Sequence, residues 1–338
     1  MQNNFNRRKF VKIMSITGAG IGLGGFRSSA SGTRNMAAKK AGIIGLDTSH
    51  AVAFVKSLNA ANPDADFKGY RVVAAYPKGS NDIKSSYDRI PGYTEEVKKL
   101  GVEIVGSIDE LLKKVDVVFL ETNDGRLHLQ QALPVLKAKK PLFVDKPVAA
   151  SYKDAKAIFD AAEKWGTPVF SSSSLRYITG MSDVLSGKIS KVTGADVFSP
   201  AKLESTHPDL FWYGIHGVEM LFTAMGTGCK TVSRTNNQGN DLVVGVWDDG
   251  RIGSFRGIRT GKDGYGGTIF GEKGIITLSS FKGYDPLLKQ IINFFETGTP
   301  PVNKQETLEI VAFMEAAEIS KRLNGKPVAL ADILNSKK

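Results

Sequence analysis

The strongest constraint on the fold is an alternation that begins at residue 41. Short, almost wholly apolar runs, AGIIGL (41–46), YRVVAAY (70–76), VDVVFLE (115–121), PLFVD (141–145) and TPVFSSS (167–173), alternate with amphipathic stretches, AVAFVKSLNAA (51–61), TEEVKKL (94–100), SIDELLKK (107–114), LHLQQALPVLKA (127–138) and SYKDAKAIFDAAEKW (151–165). The apolar runs are too hydrophobic for a sheet with one wet face. They predict parallel strands covered on both sides by the intervening helices, a doubly wound α/β sheet. Helix starts are marked by Ser107 with Glu110 and by Ser151 with Asp154, both at capping-box spacing.

Past residue 175 the pattern changes to longer strands and tight turns. LVVGVWDDGRIGSFRGI predicts a hairpin turning at Asp249-Gly250, and GTIFGEKGIITL predicts two strands around Gly271 to Gly274. A closing helix is predicted over 305–325, with apolar residues at 308, 311, 312 and 315 and Gly325 as its cap. A second domain of mixed or antiparallel α+β type follows. The predicted boundaries are 1–38, 39–172 and 173–338.

The 338 residues, 41% hydrophobic and 23% charged, are enough for two ordinary cores. A formal charge of +11 raises nucleic acid as a partner, but residues 1–38 hold six basic residues and no acid, which leaves +5 for the rest. That is a poor case for a polyanion-binding surface. The lone Cys229 excludes an internal disulfide framework and any multi-cysteine zinc site. Within the first segment, NRRKFVK (6–12) precedes the apolar run IMSITGAGIGLGGF (13–26), which is too short to span a bilayer core of ~30 Å. The pair of arginines followed by Phe and Lys, with a glycine-rich and only mildly apolar core, resembles a bacterial twin-arginine export signal. It implies a periplasmic or otherwise exported protein with a tightly held cofactor acquired before export.

The stretch AGIIGLDTSH (41–50) runs like the first strand and turn of a dinucleotide-binding fold. Where G-x-G-x-x-G requires three glycines, only Gly45 remains, and Asp47 and His50 take the other two places. Asp47 puts a carboxylate near the expected phosphate position. Yet Asp47, Thr48 or Ser49 can cap the next helix, whose free N–H groups still suit an anion. After the second strand, YPKGSND offers Lys78 and Ser80 where an acid would grip the ribose of NAD, a charge suited to the 2′-phosphate of NADP.

GIIGL at the start of the fold, DKPVA (145–149), SLRY (174–177), GIHGVEML (214–221) and IFGEKGIITL (269–278) together resemble the glucose–fructose oxidoreductase / inositol dehydrogenase / MocA family. The resemblance covers nearly all of the chain after residue 40. It implies a Rossmann domain, a C-terminal domain with an open-faced mixed sheet used for homo-oligomerisation, and NAD- or NADP-linked oxidation or reduction of sugars and related polyols. Two departures are visible: Asp145 stands where the family usually has Glu before Lys-Pro, and Trp212 stands where many members have a site Asp.

Alcohol oxidation needs a proton acceptor beside a group that polarises the oxygen. Lys146, at the end of a buried strand and held from helical backbone by Pro147, is the candidate for the second role; His216 is the candidate base. Taken together, the residue arguments and the resemblance make Gly45, Asp47, Thr48, Ser49, His50, Lys78, Thr122, Asn123, Asp145 and Lys146 the candidates for the dinucleotide, and Arg176, Tyr177, Trp212 and Glu219 the candidates for the substrate. His128 reads first as a structural histidine, and the serines of 171–174 either line a pocket or merely close a strand. No metal set is read: Glu219 shares a helical face with His216 but a third ligand is missing. Glycoside cleavage through transient oxidation and a non-catalytic sugar-binding scaffold remain the rival functions.

Overall fold

The computed structural model describes residues 39–336, so the expected export signal over 1–38 lies outside the described residues. Six strands, β1 (Lys39–Ile44), β2 (Tyr70–Tyr76), β3 (Glu103–Ile104), β4 (Val117–Leu120), β5 (Leu142–Val144) and β6 (Val169–Ser171), form an all-parallel sheet in the order β3-β2-β1-β4-β5-β6. That is the Rossmann order, whose ligand crevice lies at the carboxyl ends of β1 and β4 where the winding reverses. The helices of this half are α1 (Ser49–Leu58), α2 (Lys84–Tyr87), α3 (Ile90–Lys99), α4 (Ile108–Leu112), α5 (His128–Lys137) and α6 (Tyr152–Trp165). The expected caps form: Ser107 Oγ accepts from Glu110 N–H at 3.1 Å, and Ser151 Oγ from Asp154 N–H at 3.1 Å.

The second half adds α7 (Met181–Leu185), β7 (Val192–Pro200), α8 (Ile215–Met225), β8 (Cys229–Asn236), β9 (Asn240–Trp247), β10 (Ile252–Ile258), β11 (Gly266–Gly271) and β12 (Gly274–Leu278). It ends with α9 (Asp285–Thr297), α10 (Lys304–Arg322), β13 (Val328–Ala329) and α11 (Leu330–Leu334). Its seven-stranded sheet runs β12-β11-β7-β10-β9-β8-β13, antiparallel except for the β7–β10 pair. Both predicted hairpins are present, β9–β10 turning at Gly250 with φ +85° and β11–β12. The closing helix α10 stops at Arg322, three residues short of the expected end, because Asn324 and Gly325 both adopt positive φ.

One helix was not legible in the strand-and-turn pattern of this half. Helix α9 buries Leu287, Leu288, Ile291, Ile292 and Phe294 in the same core as Phe54, Phe119, Phe143 and Phe170, so it covers the α1 side of the first sheet. Pro286 in its first turn and Gly298 with φ +69° mark its ends. The opposite side of that sheet, covered by α4, α5 and α6, is continuous with the core under α8, α10 and the second sheet. Both halves thereby close on one crevice. No described helix is long and apolar enough to cross a membrane.

Candidate active site

The crevice is built from the ends of β1, β4 and β5. Gly45, with φ +89°, lets β1 turn against β4: a Cβ there would lie 2.5 Å from the backbone nitrogen of Thr122. Asp47 follows, fully buried. Its Oδ2 accepts the Ser80 N–H at 3.2 Å and its Oδ1 the Asn123 N–H at 3.0 Å, tying together the loops after β1, β2 and β4. Burial raises the carboxyl's pKa and the two N–H groups oppose the rise. The carboxylate that stands in the fingerprint therefore points into the loop junction instead of the crevice. Thr48 is the N-cap of α1, and Thr48, Ser49 and His50 face outward from it.

Facing them is a cavity of about 290 Å³. From the first half it takes Thr48, Ser49, His50, Asn123 and Lys146, with Ser85 and Arg89 from the segment that carries α2. The second half supplies Ser174, Leu175, Lys202, Trp212, Tyr213, His216, Tyr265, Phe281 and Tyr284. The wall is aromatic and cationic, and no carboxylate is among its described residues.

Lys146, nine-tenths buried, directs Nζ to Asp145 Oδ2 at 3.3 Å. Burial alone would lower its pKa, but the Asp145 carboxylate outweighs that and holds the ammonium above its ordinary value. His216, in the first turn of α8, behaves oppositely: burial, then the Lys146 ammonium and His50, push its pKa well below 6.5. Its Nδ1 lies 2.7 Å from Ser173 Oγ, which also accepts the Leu175 N–H at 3.1 Å. The rings of Tyr213 and Tyr265 stand 5.8 and 5.9 Å from the imidazole, centre to centre. Burial pushes the Tyr265 phenol up to about 12. One cavity thus holds a cation that stays charged and an imidazole that stays neutral.

The structure moves several expected residues away from the cavity. Arg176 is buried in a clamp, Nε to Glu219 Oε1 at 2.9 Å and Nη2 to Glu306 Oε1 at 2.5 Å, and Ser172 Oγ donates to the same Glu219 oxygen at 2.9 Å. Burial raises the Glu219 carboxyl, with Arg176 opposing. Arg176 and Glu219 therefore join the 174–177 turn to α8 and α10 and, like Tyr177, do not line the cavity, which corrects the expectation that they meet the substrate. Trp212 does line it. Gly45, Asp47, Thr122 and Asp145 are buried and do not line it, and Lys78 lines a separate groove of about 340 Å³ with Tyr76, Gly79 and Gln131. His128 is enclosed by carbonyls, Nε2 2.6 Å from Thr122 O and Nδ1 3.0 Å from Pro147 O. The sequence reading missed Arg89, Lys202, Tyr213, Tyr265, Phe281 and Tyr284. It also left open the serine run, in which Ser174 lines the cavity and Ser173 orients His216. Of these, only the serines carried a local signal.

Residues 39–173 match the Gfo/Idh/MocA model. Its description is an oxidoreductase family with an NAD-binding Rossmann fold, and the matched span is the whole of the first sheet and none of the second. A search of curated proteins returned no match to this chain. Among solved structures, a Thermotoga maritima protein described as a probable dehydrogenase superposes with a TM-score of 0.70 at 19% identity, covering 87% of this chain and 99% of its own. Scyllo-inositol dehydrogenase of Lactobacillus casei, solved with NAD(H) and scyllo-inositol, gives 0.69 at 16%, covering 87% and 99%. Myo-inositol 2-dehydrogenase of Lactobacillus plantarum gives 0.70 at 15%, covering 86% and 99%. At these identities the likeness establishes the two-part fold: an N-terminal Rossmann sheet and a C-terminal mixed sheet.

The G-x-G-x-x-G fingerprint is altered here, and the local chemistry still fits the nicotinamide–ribose and phosphate end of a dinucleotide. The hydroxyls and N–H groups that open α1, the Asn123 side chain and Arg89 all border the cavity. Asp47, the acid that would repel a phosphate, is fully buried and spent on Ser80 and Asn123.

Proposed function

We propose that this chain is an NAD(P)-dependent dehydrogenase that oxidises a secondary alcohol of a sugar or sugar-derived polyol. The observation that carries the reading is the pairing of Lys146 and His216, brought from the two halves to one cavity with opposite, complementary charge states. When bound, the nicotinamide supplies the hydride acceptor. Thr48, Ser49, Asn123 and Arg89 would hold its phosphate and ribose, and Lys78, in its own groove, would stand by an adenosine 2′-phosphate.

The chain's own residues account for the proton. Lys146 donates a hydrogen bond to the substrate hydroxyl oxygen and stabilises the charge that develops there. His216, neutral at working pH, accepts the hydroxyl proton at Nε2, provided that Nδ1–H donates to Ser173 Oγ and fixes that tautomer. Trp212, Tyr213, Tyr265 and Phe281 offer flat apolar faces for the C–H side of a ring, and their bulk keeps water from the reacting carbon. The reading includes export of the chain with its cofactor tightly bound, and self-association through the second sheet.

The test is reduction of NAD+ and NADP+ over a panel of inositols, aldoses and sugar acids, with His216→Gln beside the parent. The expected result is turnover of at least one polyol class, reduced about 10²- to 10⁴-fold by H216Q. A protein that binds neither nucleotide and reduces neither would leave the sugar-binding scaffold instead.

A further inference from the structure

At and behind the cavity wall, three adjacent strand ends bring together side chains that do not themselves touch the proposed reacting atoms. His50 comes from the first turn of α1, Glu121 follows β4, and Asp145 follows β5. One ligand-type atom from each lies within 4.8 Å of the other two, and all three residues are buried. His50 Nδ1 is 3.1 Å from Asp145 Oδ1. Glu121 is fully buried, and neither of its carboxylate oxygens has a hydrogen-bond partner.

That orphaned carboxylate is the anomaly. A buried polar group without a partner is costly, and a charged one more so, so such a group implies a partner that satisfies it. Burial and the neighbouring Asp145 carboxylate both disfavour a bare charge on Glu121, so its two acceptor oxygens need a partner to be satisfied. The geometry suits a cation. Three atoms no more than 4.8 Å apart share a centre within about 2.8 Å of each, and a sub-ångström contraction brings them to the ~2.0–2.2 Å bonds of a first-row divalent ion. The 3.1 Å between His50 Nδ1 and Asp145 Oδ1 is the spacing of neighbouring ligands on an octahedral ion with ~2.1 Å bonds. Lys146 then has the position of an outer partner, holding the second oxygen of Asp145 at 3.3 Å. His50 and Lys146 both line the cavity, so an ion can enter there and keep open positions facing it.

We propose that His50, Glu121 and Asp145 form a site for one divalent first-row cation. One imidazole nitrogen with two carboxylate oxygens suits Mn2+ or Zn2+. It is too few oxygens for Ca2+, which takes six to eight, and too little sulfur for a soft ion. The three ligands are residues other than the hydride-transfer pair, and Lys146 enters only as the outer partner of Asp145.

The test uses the full chain, stripped with chelator and titrated with MnCl2 and ZnCl2 by calorimetry, with Mn2+ followed by electron paramagnetic resonance. The expected result is one equivalent bound, a higher Tm with the metal, and affinity at least about 100-fold weaker in both Glu121→Gln and His50→Gln. Because E121Q removes a buried carboxyl that has no partner, the stripped variant should unfold no lower than the parent, and it decides the matter if H50Q fails to fold. Absence of stoichiometric binding, with the infrared band of a protonated carboxyl lost in E121Q, would overturn the site in favour of a proton held on Glu121. Binding indifferent to both substitutions would overturn it as well.

Discussion

A single lysine and a single histidine carry the proposed chemistry, and their protonation states are set by different neighbours. For His216 the groups that face the ring are the Lys146 ammonium, His50, Asp145, the Ser173 hydroxyl and the phenols of Tyr213 and Tyr265. Burial, then the ammonium, depress its pKa, so the imidazole is the free base throughout the neutral range. Activity should fall only as pH drops through that depressed value, below 6.5, and kcat/KM should be flat from there through neutrality. A pH–rate profile checks this; an acid limb centred at or above 6.5 would show that His216 is not the base. That Lys146 and His216 would meet at one cavity was legible from sequence, because each sits in a motif at a predictable end of an element. Asp47 was legible as a departure but not in its effect, since the two N–H groups that turn its charge inward arrive from loops 33 and 76 residues away.

The elements show the same division between local and distant causes. Helix caps at Ser107 and Ser151, both hairpins and the run of parallel strands were written in contiguous residues, and they formed as read. The clamp of Arg176 with Glu219 and Glu306 was not, because its partners lie 43 and 130 residues on and nothing in SLRY distinguishes a pocket arginine from a buried one. The first turn makes the point testable. Restoring the fingerprint glycine with Asp47→Gly looks conservative on the page, yet it would leave the Ser80 and Asn123 N–H groups without acceptors in a dry junction. At about 1–3 kcal/mol for each orphaned donor, and with the relief of one desolvated carboxylate set against it, D47G should lower unfolding stability by about 2–4 kcal/mol. Urea unfolding at fixed pH measures it, and an equal or higher midpoint would mean that Asp47 is not a structural tie.

At the scale of the whole molecule, one face of the second sheet is left uncovered among the described residues. The side of that sheet turned away from α8 and α10 presents Phe198 from β7, Leu242 and Val246 from β9, Ile252 from β10 and Ile275 from β12, with Ile252 57% and Ile275 65% exposed. The register makes this one continuous surface: Ile252 pairs with Val246, and Arg256 with both Leu242 and Phe198. A contiguous apolar patch of this kind, with Arg256 and Asp196 interspersed, is uncommon on a monomer and has the make-up of an interface core between polar neighbours. Pairing two copies face to face buries the patch against itself, and a stable pair needs roughly 1,200 Å² or more of total buried surface. The parent should therefore sediment as a dimer or higher oligomer at micromolar concentration, and Phe198→Lys with Ile252→Lys should sediment as a monomer, since like charges brought together on that surface oppose association. Neither position lines the cavity, so nucleotide binding by the double variant should match the parent. A parent that is monomeric under these conditions, or a double variant that still associates, would assign the apolar face to something other than a second copy of the chain.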